Sequence, residues 1–233
     1  MQHRKNRFYA GFLTTESATE GMRLAGAQAA QLAHDAKVLL DAGSYPTAAA
    51  LATLSIEESS KSIALRSVLA ADCTADLKKA WAGYRSHGTK SILWRLLSAG
   101  LIKMTDENPP RVLIDFSGAV QRYTDLDSEM LNGIKQAGLY TDCVGEEPHW
   151  VEPRSTIAKE FAESLVAAAQ AIASVFAKPP TSAETELWAK HMAPIATCRG
   201  NEAEIAKAVD QWVKGLIEGG FLPAAMPPDL VIK

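Results

Sequence analysis

The run from Pro46 to Leu69 has the spacing of a helix, but its apolar stripe is interrupted by charge. Leu51, Leu54, Glu58, Lys61, Leu65 and Leu69 recur at intervals of three and four residues, which puts them on one side of a helix. The stripe predicts burial, yet Glu58 and Lys61 stand in its middle and Glu57 at its edge. Charged side chains are rarely buried unless paired, because an isolated buried charge is costly or shifts its pKa. A second run, His87 to Leu101, repeats the anomaly: His87, Lys90, Trp94, Leu97 and Leu101 share a stripe that begins with an imidazole and an ammonium. Packed together, the two helices would bring Glu57, Glu58 and Lys61 to His87 and Lys90, with Arg85 nearby in sequence.

Helical spacing dominates the rest of the chain. A long first helix is predicted from about Thr15 to Ala42, ended by Gly43, and a short one near Ala75 to Gly83. Another is predicted near Ser117 to Gln136, and a further Ala-rich helix from Ser155 to Ala177, stopped by Pro179-Pro180. Between them, Gly138 to Arg154 reads as an ordered loop pinned by the rings of Tyr140 and Trp150. Thr181 with Glu184, and Asn201 with Glu204, carry the capping-box pattern and start two more helices, running to about Arg199 and Gly219. Val112-Leu113-Ile114 is the one strand-like run. The fold class is all-α: a helical domain over residues 1–178 and a C-terminal helical appendage with an extended tail over 179–233.

Composition narrows the function without naming it. The 233 residues can bury a substantial core, and 47% hydrophobic with 22% charged residues is the balance of an ordinary globular chain. A net charge of −3 argues against a generally basic nucleic-acid-binding surface. Cys73, Cys143 and Cys198 are too scattered for a metal ribbon or a disulfide framework and read as buried small hydrophobes. No signal peptide or membrane span is expected, since the greasiest segment, Leu165 to Ala177, is short and broken by Gln170 and Ser174. The expected compartment is the cytoplasm.

The polar residues on the two stripes have the chemistry of metal-independent RNA cleavage. His87 is the natural acid and base, Lys61, Lys90 and Arg85 can meet phosphate charge, and Glu57 and Glu58 can orient the imidazole. The same residues can equally form a satisfied polar network that fixes helix register. A single divalent ion on Glu57, Glu58 and His87 is a weaker alternative, because the Glu-x-x-His pairs of carboxylate metal bundles are missing from the sequence. Tyr140, Asp142 and Trp150 are candidate substrate contacts, the two rings through base stacking. Asp142, Glu146, Glu147 and His149 otherwise read as solvated loop residues, and His34 and His191 as parts of solvated faces.

Three motifs carry a family resemblance: Glu57-Glu58-x-x-Lys61, His87-x-x-Lys90, and the block Leu139-Tyr140-x-Asp142 continuing to Trp150 and Pro153. Together they resemble the AbiV family of bacterial abortive-infection proteins, placed in or near the HEPN superfamily, over roughly Glu20 to Ala177. The resemblance implies an all-α HEPN-like bundle, a homodimer, and action against phage by blocking translation or degrading RNA, with a phage protein as trigger and no cofactor. Many HEPN ribonucleases carry an Arg followed by a His after a longer gap; here only Ser86 separates Arg85 from His87. The alternative is a non-catalytic helical protein that inhibits by capturing a partner, with the polar cluster as a structural lock.

Overall fold

The computed structural model describes residues 8–86, 102–104, 112–114, 126–144, 146–196 and 202–222. The first helix, α1 (Thr15–Asp41), starts at Thr14, whose side chain accepts the Ser17 N–H. It stops before Gly43, which takes a positive φ of 76° and turns the chain back. After it come α2 (Tyr45–Leu69) and α3 (Thr74–Arg85), then β1 (Ile102–Met104) paired antiparallel with β2 (Val112–Ile114). Helix α4 (Leu126–Leu139) leads into an antiparallel hairpin of β3 (Asp142–Val144) and β4 (His149–Val151). A 3-10 turn at Pro153–Ser155 precedes α5 (Lys159–Phe176). The C-terminal part holds α6 (Ser182–His191), α7 (Ala193–Ala196) and α8 (Glu202–Glu218).

Helix α2 is the hub, packed by α1, α4 and α5 along its length and by α3 near its end. It is therefore buried almost all round. Ala48, Ala49, Ala52 and Ile56 meet Leu131 and Ile134 of α4 and Leu165, Val166 and Ala169 of α5 in one core. Small side chains let the backbones close up: the Ser55 hydroxyl donates to the Ala29 carbonyl of α1 at 2.8 Å. At the start of α2, a Cβ on Gly138 would lie 2.4 Å from the Pro46 carbonyl, so α4 makes this approach only with glycine.

This geometry revises the stripe. Leu51, Leu54, Glu58, Lys61 and Leu69 are only partly buried, while Ile56, Glu57, Ser59 and Ser60 are fully enclosed. A central helix surrounded by neighbours has no single buried face, so the most apolar stripe does not mark the deepest positions. Two other expectations also change. The aromatic loop between α4 and α5 is a hairpin with Tyr140 and Trp150 exposed, not a loop pinned by its rings. Cys73 and Cys143 are exposed, and Cys73 accepts the Asp76 N–H at the start of α3; Cys198 lies outside the described residues.

Helix α4 runs three residues past the predicted Gln136, and its predicted beginning at Ser117 lies outside the described residues. The Thr181–Glu184 capping box is formed. Its helix ends at His191, short of Arg199, and Pro194 sits in the separate turn of α7. The second capping box depends on Asn201, outside the described residues, although α8 begins right after it and ends at Glu218. Helix α6 lies on the bundle and α8 packs on α6: the Thr19 hydroxyl of α1 donates to Thr185 at 2.8 Å, and Arg66 of α2 lies over the Trp188 ring at 5.9 Å. Burial there pulls the Arg66 guanidinium below its ordinary value, with Glu184 acting in the opposite direction. Among the described residues no helix is long and apolar enough to cross a membrane.

Candidate functional site

Little more than one turn of α2, from Glu57 to Lys61, separates its charges by depth. Glu57 points inward, its side chain 6% exposed, and accepts from the Lys135 ammonium of α4 at 2.5 Å; the lysine side chain is 8% exposed. This pair spans 78 residues of sequence and ties the hub to its neighbour. Glu58 and Lys61 turn toward the rim, at 22% and 20% side-chain exposure, and pair at 2.5 Å one helical turn apart. The Lys61 ammonium also stands 5.8 Å from the centre of the Tyr84 ring on α3.

Tyr84 anchors a chain of rings at the end of α3. It meets Trp81 edge-on at 5.4 Å, and Trp81 meets Tyr9 edge-on at 6.0 Å. The Trp81 indole N–H donates to the Gly11 carbonyl at 3.0 Å. Arg85 donates to the Tyr9 carbonyl and lies over both Phe8 and Trp81. The segment before α1 is thus clamped across α3, and its clamp is the guanidinium that sequence reasoning assigned to phosphate.

Of the predicted cluster, the structure brings Glu57, Glu58 and Lys61 onto neighbouring positions of one helix, but sends Glu57 and Glu58 in different directions. His87 and Lys90 lie outside the described residues, directly after the Arg85 and Ser86 that close α3. Among the described residues of the predicted cluster, Glu57, engaged by a buried ammonium, is the least accessible. Among the described residues the one cluster with metal-ligand geometry is Asp72, Cys73 and Asp76, fully exposed at the start of α3. Tyr140, Asp142 and Trp150 belong to another region, because Gly138 abuts Pro46 and Glu57 lies about 16 Å farther along α2.

Sequence reasoning missed Lys135 and Tyr84. Both carried a signal. Lys135 follows Leu131 by four residues and precedes Gly138 by three, so it interrupts the apolar face of α4 as Glu57 interrupts α2. Tyr84 follows Trp81 by three on the face of α3 that also holds Leu77.

The family model HEPN_AbiV, described as AbiV, matches residues 17–174, which takes in all but the first two residues of α1 and the last two of α5, with both charged pairs. No curated protein and no solved structure matches the chain.

Proposed function

Because the chain belongs to the AbiV family, we propose that it is an abortive-infection effector that blocks translation or degrades RNA in a phage-infected bacterial cell. The observation that carries this reading is the Glu58–Lys61 pair. It is a charged pair kept at the rim of the matched bundle, over Tyr84 near the end of α3, after which His87 follows in sequence. As a metal-independent ribonuclease, the protein would use His87 as acid and base, Lys61 and Lys90 against the phosphate, and Glu58 to orient the imidazole. Arg85 and Glu57, grouped with them on sequence grounds, serve as supports on this reading: one holds the N-terminal segment, the other holds α4. No cofactor is needed for this chemistry. The expected setting is the cytoplasm, with a second copy of the chain as partner and a phage protein as trigger.

A second reading is favoured by the buried Glu57–Lys135 pair, which has the burial of a structural lock and not of a reactive centre. On that reading the protein is non-catalytic and inhibits by capturing a partner. Total RNA incubated with the purified protein in EDTA, beside a His87→Ala control, separates the two. Cleavage by the parent alone supports the ribonuclease. Intact RNA in both lanes supports capture.

A further inference from the structure

The hairpin between α4 and α5 puts rings where water should be. Trp150 is 71% exposed and Tyr140 58%. Trp150 pairs across the strands with Cys143, so the two side chains share a face of a ribbon that is two-stranded among the described residues. An isolated hairpin gains little stability from such rings, and large exposed aromatics are a mark of interaction surfaces.

Charge selects the partner. Between Tyr140 and Arg154 the chain carries four carboxylates, Asp142, Glu146, Glu147 and Glu152, against the one guanidinium of Arg154; that balance equals the −3 of the entire chain. All four acids are exposed, and none forms an ion pair among the described residues. At the base of the hairpin, where the Thr156 hydroxyl donates to the Ala137 carbonyl, an apolar groove of about 340 Å³ opens between Met130, Ile134, Ile157 and Phe161. Nucleic acid is repelled by the carboxylates, however well its bases stack. A guanidinium stacks on the same rings and pairs with the same acids.

We propose that the β3–β4 hairpin is a docking surface for an arginine-rich protein segment, whose cations stack on Trp150 and Tyr140 within the acidic rim and whose apolar flank enters the groove beside Phe161. The surface is separate from the Glu58–Lys61 pair, so it stands whether or not the protein cleaves RNA. It also reassigns Tyr140, Asp142 and Trp150 from RNA to protein.

The test uses the full chain and two fluorescein-labelled probes, a peptide of six arginines followed by two leucines and an oligouridylate, read by anisotropy. The peptide is expected to bind, more tightly at low salt. Trp150→Ala weakens it about tenfold through the lost cation–π contact, and Glu146→Gln with Glu147→Gln flattens the salt dependence. All three positions are exposed, so unchanged melting curves accompany the losses. Failure of the peptide to bind, binding indifferent to Trp150→Ala, or oligouridylate binding that Trp150→Ala abolishes would each overturn the proposal.

Discussion

The two charged pairs of α2 start one residue apart and live in different media. Glu57–Lys135 is dry and joins two helices, whereas Glu58–Lys61 is partly wetted and stays within one. Coulomb attraction at the same 2.5 Å separation is strong in the first environment and weak in the second. The cost of taking the charges out of water follows the same order. The inner pair is consequently expensive to break, and the outer pair is cheap to change. Residues that are cheap for the fold are the ones that can be committed to chemistry.

Breaking the inner pair gives the largest effect. Lys135→Met takes an ammonium away from the buried Glu57 carboxylate and should cost up to about 3–5 kcal/mol, seen as a lowered urea midpoint. Adding Glu57→Met should recover much of that loss, since two apolar side chains of similar volume carry no desolvation penalty. A Lys135→Met variant as stable as the parent would remove the distinction between the pairs.

The outer pair should respond in function and hardly in stability. Glu58→Gln is expected to change unfolding free energy by less than about 1 kcal/mol, while protection of cells against phage is lost at equal protein level. Full protection by the folded variant would move the site elsewhere. Tyr84→Leu sharpens the same point: it removes the ring under Lys61 at a cost of about 0.5–1.5 kcal/mol beyond lost area, and it should reduce protection by loosening Lys61 without abolishing it.

The smallest effect belongs to the solvent. The Glu20–Arg23 pair of α1 lies open on the surface, and hydrogen bonding from Arg23 holds the Glu20 carboxyl below its ordinary value. A depressed carboxyl contributes stability above its unfolded pKa and loses it as pH falls through the folded pKa. Glu20→Gln should therefore leave the melting temperature at neutral pH almost unmoved and slightly flatten its decline in acid.

Much of this fold was legible because its signals are local. Gly43, the Thr181–Glu184 box and the three-and-four spacing of α1, α2 and α5 act within a few residues, and the elements formed where they point. The family motifs were legible for the same reason. The depth of a charge on α2 was not, because it depends on how many helices surround the hub, and one stripe cannot report that. Glu57 looked peripheral until Lys135 arrived from 78 residues away. The hairpin escaped notice because its strands are three residues each, too short for alternation to register, and its rings mimic a pinned loop.

The central claim is that Glu57 and Lys135 are strongly coupled and that Glu58 and Lys61 are not. A pair of double-mutant cycles by urea unfolding, one on each couple with Met replacing the inner residues and Gln and Met replacing Glu58 and Lys61, measures it directly. The account predicts an inner coupling of several kcal/mol and an outer coupling below about 1 kcal/mol. Equal couplings, or a larger outer one, would contradict it.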